Sequence, residues 1–200
     1  MTELEKLYEE IRRCAKCRLA QSRTRAVPGE GPENAEIMFI GEAPGFHEDR
    51  QGRPFVGAAG RFLEELLAGI GFKREEVYIC NVIKCRPPGN RDPLKDEIEA
   101  CAPYLNRQLE LIKPKLIVTL GRFSLARFMP KASISKVHGQ VFRVGRFVCY
   151  PVMHPAAALH QPKWKAAIEE DFARIPQVLR EIEETEVPEA TRVKQLSLFG

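Results

Sequence analysis

Four cysteines have the spacing of an iron–sulfur cluster rather than that of a disulfide framework or a zinc site. Cys14 and Cys17 form a CxxC pair, Cys85 closes a loop, and Cys101 follows on a predicted helix. Zinc ribbons usually recruit two CxxC loops, because each short loop delivers two thiolates to one tetrahedral ion. Here the second pair is widely split, which is typical of a cluster held between a terminal segment and the body of a domain. The spacing therefore predicts a cluster protein of a reducing compartment.

A carboxylate, an amide and an imidazole lie at the ends of three predicted strands. Glu42 and His154 follow closely behind two of these strands, and Asn81 lies within a third. Because parallel sheets bind their ligands beyond the carboxyl ends of the strands, we expect the three side chains to face one crevice. Each residue also has a simpler explanation: Glu42 as a solvated loop acid, Asn81 as a loop cap and His154 as a hydrogen-bonded core histidine. Their convergence favours a shared site.

Hydrophobic periodicity predicts the elements that position these residues. The predicted strands are 36–40, 77–83, 115–120, 141–144 and 147–153, the last two forming a hairpin, and the predicted helices are 57–72, 94–112, 122–128 and 164–184, after a first helix that carries Leu4, Leu7, Tyr8 and Ile11. Strands that alternate with helices indicate a parallel sheet covered on both faces. We expect an α/β fold, a three-layer α/β/α sandwich around a mainly parallel four-stranded sheet. The domain is predicted to span 1–184, and the polar segment 185–200 to be a flexible tail.

Composition and charge limit the class of protein. The chain has 200 residues, which is enough for one domain with a substantial core, and its formal net charge of +4 is compatible with a nucleic-acid partner. The first residues form a charged, amphipathic segment, so we expect no signal peptide and no membrane span. Six cysteines without an export signal argue against disulfides. We therefore expect a cytoplasmic protein with reduced cysteines.

Four longer motifs occur in order along the chain: GEAPGFHED at 41–49, GRPFVGAAG at 52–60, NVIKCRPPGNRDP at 81–93 and HPAAAL at 154–159. Together with the cysteine spacing they resemble the family 4 uracil-DNA glycosylases, the iron–sulfur members of their superfamily. The resemblance covers roughly residues 1–184. It implies a monofunctional enzyme that carries a [4Fe-4S] cluster and removes uracil from single- or double-stranded DNA to start base-excision repair.

The resemblance also implies roles for the side chains around the crevice. Asn81 would pair with the O4 and N3–H edge of a flipped uracil, and cytosine would leave that amide unpaired. Phe55 would stack on the base. His154, as a neutral imidazole, would donate a hydrogen bond to uracil O2 as negative charge builds there.

Two acidic residues and two backbone amides complete the implied pocket. Better-known relatives carry an aspartate where this chain has Ala43. Either Glu42 positions the attacking water instead, or most of the rate comes from electrostatics and strain. We favour Glu42 as a supporting residue. Glu48 would lie near the uracil carbon that bears the methyl group in thymine. The amides of Gly41 and Glu42 would close the pocket.

The DNA groove is predicted from the basic loop and from the segment after the histidine. Arg86, Asn90 and Arg91 would position phosphates without reading sequence. Relatives often carry a leucine where this chain has Ala158, so we choose Leu159 as the wedge that fills the gap left by the flipped base. The cluster is expected to be structural, and Cys80 and Cys149 to pack within strands.

The end of the chain contains one further motif. Residues 195–199, QLSLF, match the bacterial clamp-binding pattern QLxLF, which predicts a sliding clamp as a partner. The alternative is that these apolar residues pack on their own domain.

Two competing functions remain open on the sequence. One is a noncatalytic DNA-binding module that carries a cluster or zinc and is recruited to the clamp. The other is a related glycosylase that acts on a different deaminated base such as hypoxanthine.

Overall fold

A five-stranded sheet in the order β2-β1-β3-β5-β4 forms the centre of the computed structural model, which describes residues 1–184. The strands are β1 (Ile37–Gly41), β2 (Tyr78–Asn81), β3 (Leu116–Leu120), β4 (Phe142–Val144) and β5 (Phe147–Val152). The helices are α1 (Glu3–Arg13), α2 (Leu19–Ser22), α3 (Phe46–Gln51), α4 (Ala58–Gly69), α5 (Lys95–Ile112), α6 (Arg122–Phe128), α7 (Ile134–Val137) and α8 (Pro162–Glu184), with 3₁₀ turns at Arg74–Glu76, Pro88–Asn90 and Pro155–Leu159.

The α/β class and the mainly parallel sheet are confirmed, but the sheet has five strands rather than the predicted four. β2, β1, β3 and β5 are parallel, whereas β4 pairs antiparallel with β5. The hairpin between β4 and β5 turns at Gly145, whose φ of 59° suits a residue without a side chain. The hairpin was predicted; its first strand adds to the edge of the same sheet, which accounts for the extra strand.

The opposite edge of the sheet is also covered. Glu30 forms an antiparallel bridge to Ile79 of β2, in which the N–H of each residue donates to the carbonyl of the other at 2.9 and 2.8 Å. The backbone groups of this part of the outer strand are therefore paired.

Helices cover both faces of the sheet. The side chains of α1, α5 and α6 pack on one face, with Leu7 and Leu105 fully buried. On the other face α4 and α8 pack together, and Phe172 stacks on Phe39 of β1 with ring centroids 5.7 Å apart. Within residues 1–184, no helix combines the length and apolar character needed to cross a membrane.

α1 begins at a reciprocal cap and ends at the first cysteine pair. The Thr2 hydroxyl accepts from the Glu5 N–H at 3.2 Å, and the Glu5 carboxylate accepts from the Thr2 N–H at 2.7 Å. Leu4, Leu7 and Ile11 recur at helical spacing and are buried against the body of the protein. The cap and the buried face thus fix the point at which the chain leaves α1 towards Cys14.

A buried acid in the first turn of α5, Glu97, also holds the loop in front of that helix. The Glu97 carboxylate accepts from the Leu94 N–H at 2.9 Å and from the Arg91 guanidinium at 2.7 and 2.9 Å. The hydrogen bonds from Arg91 lower the pKa of Glu97 despite its burial. The helix that carries Cys101 is therefore fastened to the loop that follows β2.

Candidate active site

The strand-end side chains line one cavity of about 550 Å³. Glu42 follows β1, Asn81 ends β2, and His154 follows β5, so three strands supply one side chain each. The cavity is also lined by Glu48 and Phe55, which the sequence predicted for the pocket, and by three residues predicted for the DNA groove: Asn90, Arg91 and Leu159. The carboxyl end of the sheet therefore carries the pocket, as expected for parallel strands.

Asn81 presents an unused hydrogen-bond acceptor to this cavity. The side chain is 2% exposed, and its Oδ1 has no hydrogen-bond partner among the described residues. Gly41, the register partner of Asn81, makes room for it, since a Cβ at Gly41 would lie 2.4 Å from that oxygen. A buried unpaired amide oxygen costs free energy that a ligand N–H can recover.

The backbone of Phe55 is fixed by contacts with neighbouring residues, and these contacts place its ring. Its φ of 51° lies in the left-handed region, which is uncommon for a bulky residue. The Arg74 guanidinium donates to the Phe55 carbonyl at 2.7 Å and also contacts the carbonyl of Pro54. Gly60 approaches the same carbonyl so closely that a Cβ there would lie 1.9 Å from it. These contacts fix the ring at the cavity wall, stacked on His154 with centroids 5.7 Å apart.

His154 is a neutral donor of defined tautomer. Its Nδ1 accepts a hydrogen bond from the Ala156 N–H at 3.1 Å, so in the neutral ring the proton lies on Nε2. Burial lowers the pKa of His154 to about 4. The imidazole can therefore donate from Nε2 throughout the neutral range without carrying a charge.

The carboxyl group of Glu42 has a pKa close to neutral pH. Burial raises the pKa of its carboxyl to about 7, although the positive charge of Arg122 opposes that rise. The carboxylate lies against Gly121, where a Cβ would come within 2.3 Å of its Oε1. Gly121 also has a φ of 94°, so both its space and its conformation require glycine. A carboxyl with this pKa can act as a base at physiological pH.

Glu48 joins two loops of the pocket. One carboxylate oxygen accepts from the N–H groups of Val56 and Gly57 at 3.0 and 3.1 Å, and the other accepts from the Gly45 N–H at 3.1 Å. Glu48 therefore ties the loop after β1 to the loop that carries Phe55. Its predicted contact with the base stays a prediction, as do the roles of the Gly41 and Glu42 amides.

The residues predicted to bind DNA lie at the rim of the cavity, and the two arginines among them differ in whether their charge is compensated. Arg86 donates from Nε to the Asn90 amide oxygen at 2.7 Å, whereas Arg91 is neutralised by Glu97. Leu159 is 49% exposed beside the cavity, which is compatible with a wedge. Of these residues, Arg86 alone is set back from the cavity lining.

The four predicted cluster cysteines lie around α1, α5 and the loop after β2. Burial raises the pKa of the Cys85 thiol, which also accepts from Arg23 at 3.0 Å, and Cys17 and Cys14 raise it further. Burial likewise raises the pKa of Cys101 to about 11, with contributions from Cys85 and Cys17. Within residues 1–184, no group of three or more His, Cys, Asp or Glu side chains could hold a metal ion. Cys80 and Cys149 are fully buried, as predicted.

The chain is similar to a defined group of known proteins. Residues 28–177 match the family model described as the uracil DNA glycosylase superfamily. The "Type-4 uracil-DNA glycosylase" of Sulfurisphaera tokodaii is 52% identical over 88% of this chain and 84% of its own length. The proteins with the same description from Archaeoglobus fulgidus and Thermotoga maritima are 49% identical (88% of this chain, 92% of the relative) and 46% identical (78% and 83%). The matched range contains every residue of the cavity described above.

A buried lysine that the sequence analysis missed supports the pocket from behind. Lys84 is 1% exposed, and its ammonium donates to the Asn81 carbonyl at 2.6 Å and to the Gln108 amide oxygen at 2.7 Å. Gln108 in turn donates to the Tyr78 hydroxyl at 2.9 Å, which is 2.8 Å from the hydroxyl of Tyr8 on α1. A lysine at the end of an apolar strand was the available signal. The chain of contacts links the first helix to the backbone of Asn81.

Replacing Lys84 by methionine should break the chain of contacts between α1 and the backbone of Asn81. The variant keeps the length of the side chain but leaves two buried carbonyl oxygens without a donor, so we expect the free energy of unfolding to fall by about 2–3 kcal/mol. Chemical denaturation followed by circular dichroism measures this loss. The exposed Lys95→Met change on α5 serves as the control; an equal, small effect of both would contradict the assignment.

Proposed function

Since the chain belongs to the uracil-DNA glycosylase superfamily, we propose that it hydrolyses the N-glycosidic bond of deoxyuridine in DNA and thereby starts base-excision repair. The observation that carries the proposal is the unpaired Oδ1 of Asn81 beside Phe55 and His154 in one cavity. A flipped pyrimidine placed there would satisfy the amide and lie against an aromatic ring.

Base recognition follows from the chemistry of the amide. Asn81 Oδ1 accepts from uracil N3–H, and its Nδ2 donates to uracil O4. Cytosine presents an acceptor at N3 and donors at N4, so it would leave both groups of Asn81 unpaired in a buried site. The amide thus selects uracil, and Lys84 and Gly41 hold it in position.

The reaction divides between Glu42 and His154. The bond between uracil N1 and the deoxyribose C1′ breaks, and the negative charge that moves into the base is stabilised at O2 by the Nε2–H of His154. Ionised Glu42 orients a water molecule and accepts its proton as the water oxygen bonds to C1′. Glu42 then gives up the proton to solvent, and the uracil anion takes one up at N1. The products are free uracil, an abasic sugar in the DNA and the regenerated carboxylate.

Asn81→Ala should abolish recognition without harming the fold. We expect kcat/KM for uracil release from an oligonucleotide to fall by about 100-fold or more, because the base loses both specific hydrogen bonds. The midpoint of thermal unfolding should hardly change, since the lost oxygen has no partner in the free protein.

The comparison uses matched oligonucleotides that contain uracil, thymine, cytosine or hypoxanthine, and Asn34→Ala, an exposed position, as the control variant. Full activity of the Asn81 variant would refute the pocket assignment. If wild-type protein bound DNA and released no base, the noncatalytic DNA-binding module would be the better description; release of hypoxanthine alone would favour the other glycosylase.

The pKa of Glu42 predicts a pH dependence of the chemical step. The active form is the carboxylate, so the single-turnover rate should rise between about pH 6 and pH 8 and then level off, while His154 stays neutral. Glu42→Gln should lower the plateau by about 100-fold and remove this rise. A variant that kept the wild-type pH profile would assign the rate to electrostatics and strain instead.

We also propose that Cys14, Cys17, Cys85 and Cys101 hold a [4Fe-4S] cluster. Besides burial, Cys17 and Cys14 raise the pKa of the Cys85 thiol, and Cys85 and Cys17 raise that of the Cys101 thiol, so the four side chains are near neighbours. Thiolates are the ligands that such clusters use. A cluster binds each thiolate to a different iron, so its ligands stand farther apart than those of one tetrahedral ion. When bound, it supplies a cross-link between the segment after α1, the loop after β2, and α5.

Cys101→Ser should therefore lose iron and stability together. We expect the visible absorption of the cluster and the stoichiometric iron and sulfide to disappear, and the midpoint of thermal unfolding to fall by more than about 10 °C. Cys149→Ala, which alters a buried cysteine outside the set, should keep its iron. Stoichiometric zinc in place of iron and sulfide would contradict the cluster.

The clamp-binding motif at 195–199 lies outside the described residues, and its use stays a proposal. A tail that carries two leucines and a phenylalanine has the anchors that a clamp pocket would take. Deleting 195–200 should abolish retention by an immobilised bacterial sliding clamp and leave uracil release unchanged. Loss of activity on deletion would instead indicate that the motif packs on its own domain. The proposed DNA substrate favours a location at the nucleoid in the cytoplasm, and we also propose that the protein is a monomer.

A further inference from the structure

Phe46 is an exposed aromatic ring at the mouth of the cavity. It begins α3 directly after the glycine-rich loop, it is 46% exposed, and it lines the pocket together with Asn90. The ring is therefore accessible to whatever enters the cavity from this side.

Two arginines from different segments lie over this ring. The guanidinium carbon of Arg50, on α3, is 5.4 Å from the ring centroid, and that of Arg86, in the loop after β2, is 5.2 Å from it. Cation–π attraction of this kind orients each guanidinium. Phe46 therefore brings together cations that two separate parts of the chain supply.

These two cations differ from the other arginines near the cavity. Arg91 is paired with Glu97, and Arg122 with Asp92, so their charges are compensated. Neither Arg50 nor Arg86 pairs with a carboxylate within the part of the chain that the structure describes; Arg86 contacts an amide oxygen instead. Two uncompensated positive charges, 5.4 and 5.2 Å from one ring centroid, create a positive potential at the rim that attracts an anion.

We propose that Phe46, Arg50 and Arg86 form a clamp for one phosphodiester group of the DNA strand, next to the flipped nucleotide. The proposal rests on the proposed function for the identity of the anion. The cavity itself is lined by the acidic side chains of Glu42, Glu48 and Asp92, which repel a phosphate backbone when ionised. A cationic pair at the rim offsets this repulsion and sets where the backbone crosses the mouth. Phe46 is a positioning residue in this clamp, and Arg50 is a DNA contact that sequence reasoning did not predict.

The test is equilibrium binding of a fluorescent, undamaged single-stranded oligonucleotide across a range of salt concentrations. Arg50→Gln should weaken binding by about 5- to 10-fold at about 0.1 M salt and lower the slope of log K against log salt by about 0.7, because one phosphate contact is lost. Phe46→Leu should weaken binding by about 3-fold and keep most of that slope, since both charges remain. The control is Arg180→Gln, the same change at an exposed position near the end of α8, which should leave binding within about 1.5-fold.

A double-mutant cycle separates this clamp from the main alternative. If Phe46 acts by positioning the arginines, Phe46→Leu should add little in a variant that already lacks both guanidiniums. A full effect of Phe46→Leu in that background would mean that the ring stacks directly on a base, and would overturn the clamp. So would an Arg50→Gln variant that behaves like the Arg180→Gln control. Because undamaged DNA is the probe, loss of the clamp can be distinguished from absence of uracil release.

Discussion

The pocket depends first on the packing of Asn81 and Phe55 against the bare backbone of Gly41. A single Cβ at Gly41 would come within 2.4 Å of the Asn81 oxygen and 2.7 Å of the Phe55 ring. The parallel pairing of β1 with β2 brings Gly41 and Asn81 side by side, and the loop held by Arg74 delivers Phe55. The amide and the aromatic wall of the pocket therefore depend on one missing side chain.

Burial has opposite effects on the pKa values of Glu42 and His154 in this pocket. The same loss of solvent raises the pKa of Glu42 to about 7 and lowers that of His154 to about 4, because in each case it disfavours the charged form. The result is a neutral hydrogen-bond donor and an acid that is half ionised near neutrality. Two roles in one reaction thus come from one environment.

The sequence was sufficient for the features that depend on local pattern and strand order. Hydrophobic spacing located the main helices and strands, and the strand-end rule brought Glu42, Asn81 and His154 together. It was not sufficient where the environment is made by distant segments: the buried ammonium of Lys84, the pairing of Arg91 with Glu97, and the addition of β4 to the sheet. Each of these depends on which residues meet in space, and periodicity carries no information on that.

The two edges of the sheet have a consequence for behaviour in a crowded solution. A long, flat, unpaired strand invites other chains to add to it, whereas this sheet ends on one side in the three-residue β4 and on the other in a β2 strand bridged by Glu30. The apolar strands β1, β3 and β5 therefore lie inside the sheet, away from intermolecular pairing. The molecule should resist fibril growth at high concentration, and the weak point for aggregation is the detachment of β4, which would expose the backbone of β5.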